Sequence, residues 1–151
     1  MIRRARPDDS DRLSALAWRS KAYWGYDDSF MQAHRQGLSV PPAYISKHPT
    51  YLLEQAEHLA GFYALDHLEP DLVELDFLFV EPRLIGRGVG RRLLSHARTI
   101  AHSGGYRFMR IVSDPNAAGF YQQMGAEPWG EWHSPVIPGR RLPVLQLSCH
   151  P

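Results

Sequence analysis

The sequence is poor in several features that define whole classes of protein. It has a single cysteine, Cys149, so no internal disulfide can form, and a reducing, cytoplasmic setting is expected. No apolar run approaches the length of a membrane span, and the basic N-terminus has no apolar segment behind it, so we expect neither a span nor a signal peptide. No two histidines have the spacing of a metal-binding helix, so we expect no metal.

Lysine is also scarce, since all but Lys21 and Lys47 of the 17 basic residues are arginine. A net charge of only +1 excludes a uniformly basic surface, and we therefore expect neither a nucleic-acid nor a membrane partner. The charge is nevertheless divided along the chain. Residues 69–81 hold carboxylates and no base, whereas residues 82–113 hold arginines and no acid. Because the arginine fork grips phosphate with two bonds, the second stretch indicates an anion site.

The 151 residues suit one domain, residues 1–151, with its own hydrophobic core. Periodicity and turn signals predict a strand, two helices, three strands, a helix, a strand, a helix and two strands. The predicted strands are residues 2–6, 50–55, 59–66, 72–80, 106–112, 127–133 and 141–149. The predicted helices start near residues 10, 28, 89 and 115, with Asp114 as the cap of the last one.

The arrangement of these elements predicts a mixed α/β fold of the α+β kind. Residues 72–112 form one βαβ unit, which makes its two strands parallel neighbours. Hairpins elsewhere favour antiparallel pairing. We therefore expect a mostly antiparallel sheet of about seven strands, with a central parallel pair and helices on both faces.

A glycine-rich loop lies between strand 72–80 and the helix that follows it. Gly86, Gly88 and Gly90 alternate directly before the helix, where backbone N–H groups and the helix dipole suit a phosphate or pyrophosphate. No Lys-Ser or Lys-Thr follows, as a nucleotide loop requires, and Arg91 stands where a dinucleotide loop has its third glycine. The alternative is a flexible connector with a solvated basic face.

The loop and a later segment resemble the GNAT superfamily of acetyl-coenzyme A-dependent N-acetyltransferases. Two motifs support the resemblance. The first is Arg/Gln-x-x-Gly-x-Gly, which is matched by Arg83, Gly86 and Gly88. The second is an Asn followed by a Phe-Tyr pair and a Gly, which is matched by Asn116, Phe120, Tyr121 and Gly125. The resemblance covers nearly the whole chain, and the predicted order of elements agrees with it. It implies an acyltransferase that uses acetyl-CoA as co-substrate.

The resemblance also implies where the coenzyme binds. The loop backbone would hold the pyrophosphate, and the pantetheine arm would pair with the free strand edge from Leu78 to Val80, where this strand parts from strand 106–112. The residues implied in coenzyme binding are Leu78, Phe79, Val80, Arg83, Ile85, Gly86, Arg87, Gly88, Val89, Gly90, Arg91, Asn116 and Phe120.

Three side chains are candidates for the chemistry. By the resemblance, Tyr121 would protonate the leaving thiolate, and a phenol is protonated at neutral pH; the alternative is a packed aromatic beside Phe120. Glu74 or Asp76 would be the base, both on one face of strand 72–80. The alternative is that these carboxylates pair with an arginine such as Arg110, or bind a cationic acceptor. A backbone N–H near Leu78 or Phe79 would stabilise the oxyanion.

The acceptor side is predicted from an aromatic cluster at the break after the first helix. Trp24 and Tyr26, beside Asp27 and Asp28, could hold an amine by cation–π contact and charge, although helix packing is the alternative. We expect a primary amine on a small molecule. The alternatives are a protein or peptide amine, favoured if the aromatic region is an open groove, and a non-catalytic acyl-CoA sensor. A homodimer is common in the family, and no residue here decides it.

Overall fold

The computed structural model describes residues 1–150. Its strands are β1 (Ile2–Arg4), β2 (Thr50–Gln55), β3 (His58–Glu69), β4 (Leu72–Val80), β5 (Phe108–Val112), β6 (Glu127–His133) and β7 (Arg141–Ser148). Its α-helices are α1 (Ser10–Ala22), α2 (Asp28–Ala33), α3 (Pro42–Lys47), α4 (Val89–Ser103) and α5 (Ala118–Gln123). Short 3-10 turns occupy Pro7–Asp9, Gln36–Leu38 and Pro82–Leu84. No helix within residues 1–150 is long and apolar enough to cross a membrane.

The strands form one seven-stranded mixed sheet in the order β1-β2-β3-β4-β5-β7-β6. β4 and β5 are parallel, with Glu74 opposite Arg110 in the third of three residue pairs. The pairs β1–β2, β2–β3, β5–β7 and β6–β7 are antiparallel. The predicted mixed sheet with a parallel βαβ pair is therefore confirmed.

The chain divides into two compact units. The first comprises residues 1–64 and 77–94, and the second comprises residues 65–76 and 95–150 of the described chain. β3, β4 and α4 have residues in both units, and the expectation of a single domain stays a prediction.

Each unit has its own buried apolar residues. In the first unit, the apolar face of α1 buries Leu13 and Leu16 in a cluster that includes Leu52 and Phe62 of the sheet. The helix spacing of these α1 residues is the pattern that predicted the helix. In the second unit, alternating residues of β5 and β7 are buried, among them Met109 and Leu147.

The buried carboxylate of Asp9 anchors the N-terminal segment through hydrogen bonds. Arg3 donates from Nη1 to Oδ2 over 3.0 Å and from Nη2 to Oδ1 over 3.1 Å, and the Arg6 N–H donates to Oδ2 over 2.8 Å. Arg3 also bonds Glu54 on β2. Burial alone would raise the pKa of Asp9, but the bonds from Arg3 and Arg6 outweigh it and hold that pKa below its ordinary value. The network ties β1 and α1 to β2.

Several predicted boundaries were wrong. The helix predicted from Pro115 begins at Ala118, because Asp114 Oδ1 accepts the N–H of Asn116 over 2.8 Å and turns the chain before the helix. The short helix α3 was not predicted. β1 ends at Arg4 and β5 begins at Phe108, so both strands are two residues shorter than predicted at those ends.

Candidate active site

The end of β4 is the first component of the site. Leu78, Phe79 and Val80 are all partly exposed. The Phe79 ring packs near Phe62 and Phe77, with centroid distances of 6.0 Å and 6.2 Å, so its side chain belongs to the core of the first unit. The contact predicted for the oxyanion is made by a backbone N–H, which this packing of the ring leaves unchanged.

A glycine that sequence reasoning overlooked supports this strand end. A Cβ on Gly61 of β3 would lie 2.8 Å from the Phe79 carbonyl oxygen and 2.8 Å from Leu93 Cδ1 of α4. No side chain larger than hydrogen fits without displacing both of them. An isolated glycine within a strand pattern signals such a close approach, and that signal was present at Gly61.

The glycine loop begins with the turn Pro82–Leu84. The N–H of Leu84 donates to the Glu81 carbonyl over 2.8 Å. Gly86 and Gly88 then adopt φ of +83° and +87°, the left-handed conformation that residues with a Cβ disfavour. α4 follows at Val89, and its first N–H groups have no acceptor within the helix. The loop thus brings glycine backbone and a helix N-terminus together, as the phosphate-site prediction requires.

The arginines of residues 82–113 divide into two groups. Four are exposed on the loop or the first turn of α4: Arg83, Arg87, Arg91 and Arg92. The other three serve other contacts: Arg98 donates to the carbonyls of Ser148 and His150, Arg107 lies over the Phe108 ring, and Arg110 bonds Glu74. The arginine-rich stretch was interpreted as one anion site, but only its first part lies at the loop.

Tyr121 lies on the short helix α5 in the second unit. It is only 6% exposed, and its ring packs edge-to-face on Phe120 at a centroid distance of 5.1 Å. Burial raises the pKa of the Tyr121 phenol well above its ordinary value, and the negative charge of Asp114 adds to that effect. The hydroxyl therefore stays protonated throughout the neutral range and can act as a proton donor.

Asn116 lies in the turn before α5 and is exposed. Its side-chain amide donates to Asp114 Oδ1 over 2.9 Å, so it helps to form the turn that delays the helix. Its predicted contact with the coenzyme stays a prediction.

The two candidate bases on β4 differ in their surroundings. Arg110 donates from both Nε and Nη2 to Oε2 of Glu74, and the Nε bond is 2.7 Å long. The Arg110 guanidinium also lies 5.9 Å from the centre of the Trp132 ring. Asp76 is exposed. This geometry favours the alternative in which Glu74 pairs with an arginine.

The aromatic cluster is partly occupied from within the chain. The Tyr26 ring stacks on Phe30 at 3.9 Å, and Lys21 Nζ lies 5.2 Å from the centre of Tyr26. A cation of the chain itself thus lies near the Tyr26 ring, and the predicted role of Tyr26 in binding the acceptor stays a prediction. Trp24 is 38% exposed and Tyr23 is 52% exposed, and their rings meet edge-to-face. Of the two aromatic residues predicted to bind the acceptor, Trp24 is the more exposed.

Comparison with known proteins places these features in a family. The model of the acetyltransferase (GNAT) family matches residues 11–126, which include the glycine loop, Glu74 and Tyr121. The chain belongs to the GNAT acetyltransferase family. It is accordingly an N-acetyltransferase, an acyltransferase, and the resemblance inferred from its motifs is confirmed.

Relatives of this GNAT chain agree in length and fold. It is 28% identical over 152 residues to the peptidyl-lysine N-acetyltransferase YjaB of Salmonella typhimurium, covering 97% of this chain and 95% of that protein. A solved PaiA N-acetyltransferase from Thermoplasma acidophilum, in complex with coenzyme A, superposes with a TM-score of 0.82 at 18% identity over 98% of both chains. A GCN5-related N-acetyltransferase from Rhodopseudomonas palustris gives a TM-score of 0.81 at 19% identity, over 98% of this chain and 94% of that one.

The one cysteine of this GNAT domain is unsuited to carry an acyl group. Cys149 is fully buried, and burial raises the pKa of its thiol to about 11, although Arg98 opposes that shift. The thiol is therefore protonated at neutral pH and is a poor nucleophile. Within residues 1–150, no three His, Cys, Asp or Glu side chains come together as a metal site would need.

Proposed function

We propose that this protein transfers the acetyl group of acetyl-CoA to a primary amine by direct attack in a ternary complex. The observation that carries the proposal is the left-handed glycine loop at the start of α4, with four exposed arginines on the loop and the first helical turn. Such a loop offers backbone N–H groups, a helix dipole and guanidinium forks to a pyrophosphate. The bound coenzyme A of the PaiA relative supports this choice of donor.

In this proposal, Tyr121 is the general acid. As the amine attacks the thioester, the C–S bond breaks and the phenol gives its proton to the departing sulfur. A backbone N–H near Phe79 stabilises the oxyanion, and the amine proton leaves to water or to a carboxylate of β4. The base role of Glu74 or Asp76 stays a prediction, and the buried thiol of Cys149 supports transfer without an acyl-enzyme.

For the acceptor, we propose a lysine side chain presented by a peptide or protein. Two observations support this class. The Salmonella relative, similar over nearly the whole chain, is a peptidyl-lysine N-acetyltransferase. In addition, Tyr23 and Trp24 lie exposed beside Asp27 and Asp28, so that aromatic faces and carboxylates are open to a cationic side chain. The small-molecule amine expected from the sequence is the alternative.

The test is release of free thiol from acetyl-CoA in the presence of a panel of acceptors. Lysine-containing peptides and small primary amines should be compared at equal amine concentration, and the acetylated product identified by mass. We expect thiol release with peptides, and a Trp24→Ala variant should raise KM for the peptide and leave KM for acetyl-CoA unchanged. If only the small amines were acetylated, the acceptor would be a small-molecule amine and not a peptide lysine. Tight binding of acetyl-CoA with no thiol release across the panel would favour a sensor.

A further inference from the structure

The residue directly before the glycine loop is a carboxylate held in place. The Glu81 N–H donates to the Ala60 carbonyl of β3 over 2.8 Å, so the backbone continues the sheet at this point. Its side chain is only 12% exposed. Negative charge at this position is unfavourable for a loop that binds phosphate, because the carboxylate and the phosphate would repel each other.

Two arginines lie near this carboxylate, each beside a different oxygen. Arg19 of α1 donates from Nη2 to Glu81 Oε2 over 2.7 Å, a short charge-assisted hydrogen bond. Arg83 Nε lies 3.8 Å from Glu81 Oε1, beyond hydrogen-bond length, and the Arg83 side chain is 76% exposed. Glu81 is therefore bonded to Arg19, and Arg83 is left largely in solvent.

We infer that Arg19 is a positioning residue for the coenzyme, although it lies outside the family motifs. By bonding Glu81, it neutralises the carboxylate and prevents it from drawing Arg83 away from the loop. Arg83 then remains available to the coenzyme phosphates. The inference rests on the proposed function, since it presumes that Arg83 faces those phosphates.

The expected size of the effect follows from exposure. The pair opens into a groove of about 500 Å³ whose lining also includes Asp11, Arg12 and His58. Solvent in an open groove screens charge, so removing one partner should change coenzyme affinity about two- to fivefold.

The experiment measures the dissociation constant of coenzyme A by calorimetry at low salt. Arg19→Met should weaken binding about two- to fivefold, because the carboxylate is uncovered, and Arg19→Lys should restore part of the loss. Glu81→Gln should tighten binding slightly, and Arg19→Met should have no effect in the Glu81→Gln background. Arg12→Met is the matched control, since Arg12 lines the same groove but pairs with Asp9 and Glu54.

A phosphate-free donor separates this charge effect from a loss of structure. KM for S-acetylpantetheine should be the same in the wild type and Arg19→Met, because that donor has no phosphate to bind Arg83. Three results would overturn the inference. Arg19→Met could raise KM equally for both donors, or it could leave the affinity for coenzyme A unchanged. It could also weaken coenzyme A binding as much in the Glu81→Gln background as in the wild type. If Arg19→Met does not fold, the inference is tested by Glu81→Gln alone, through the expected tighter binding of coenzyme A. Failure of the wild type to bind coenzyme A would instead overturn the proposed function, and the inference with it.

Discussion

Arg110 donates two hydrogen bonds to a single oxygen of Glu74, its direct partner across the parallel strands β4 and β5. Both side chains are partly buried, with 30% of Arg110 and 19% of Glu74 exposed. A carboxylate on this strand was predicted either to take a proton from the acceptor or to pair with an arginine. The bonded pair favours the second reading, in which Glu74 stabilises the strand pairing.

The Glu74→Gln substitution separates those two roles. Because it leaves the Arg110 guanidinium without its charged partner, we expect unfolding to become easier by about 1–3 kcal/mol. The turnover number should fall less than tenfold. Denaturant unfolding measures the change in stability, and steady-state kinetics of the same preparation measures the change in turnover number. A fall of a hundredfold or more in turnover with unchanged stability would instead identify Glu74 as the base. Arg110→Met should reproduce the stability loss.

Gly88→Ala tests whether the loop conformation serves the coenzyme. A Cβ at φ +87° is strained, so we expect a stability loss of about 1–2 kcal/mol. We also expect a clear rise in KM for acetyl-CoA. Gly139→Ala is the matched control, because Gly139 has φ +79° and, like Gly88, has no atom within 4 Å of an added Cβ. If both variants changed KM equally, the loop would have no special role in binding.

Gly61→Ala tests the support beneath the end of β4. Its methyl group would lie 2.8 Å from both the Phe79 carbonyl oxygen and Leu93 Cδ1, so the backbone at the strand end must shift and the Leu93 side chain must move. We expect a loss of about 1–3 kcal/mol in unfolding free energy, together with a lower turnover number. Gly37→Ala, where an added Cβ meets nothing within 4 Å, should change neither. Wild-type stability in Gly61→Ala would show that this contact is not restrictive.

Acid should weaken the N-terminal network. The pKa of Asp9 is lowered in the folded protein, so its contribution to stability is complete above the unfolded pKa of about 4 and is lost as the pH falls below that value. Glu54, whose pKa is lowered chiefly by the hydrogen bond from Arg3, acts in the same direction. Unfolding free energies measured from pH 6 down to pH 2.5 should fall more steeply in the wild type than in Asp9→Asn. Parallel curves would contradict this assignment.

Local signals in the sequence predicted most of the fold. Alternation and turn residues placed β2, β4 and β6 at their observed bounds, and the apolar stripe from Val89 to Ala101 located α4. The start of α5 was missed because Asp114 can cap a helix or close a turn, and the sequence looks the same in both cases. The short helix α3 was missed because six residues give too little periodicity.

Motifs located the glycine loop and Tyr121, but contacts distant in sequence were harder to predict. The bond from Arg19 to Glu81 joins residues 62 positions apart, and no local sequence pattern predicts it. The pairing of Glu74 with Arg110 could be listed as an alternative, because parallel neighbours were predicted, but only the structure chose that partner.

The most direct test of the central claim is the rate of thiol release from acetyl-CoA with a lysine peptide, measured for the wild type and Tyr121→Phe. We expect the wild type to release thiol in step with acetylated peptide. Tyr121→Phe should bind coenzyme A normally but turn over about a hundredfold more slowly or worse, because the departing sulfur has lost its proton donor. Tyr106→Phe is the matched control and should keep the wild-type rate, because the Tyr106 hydroxyl is engaged elsewhere, 2.6 Å from His67 Nδ1. No acetylated amine from the wild type, or an undiminished rate in Tyr121→Phe, would contradict the account.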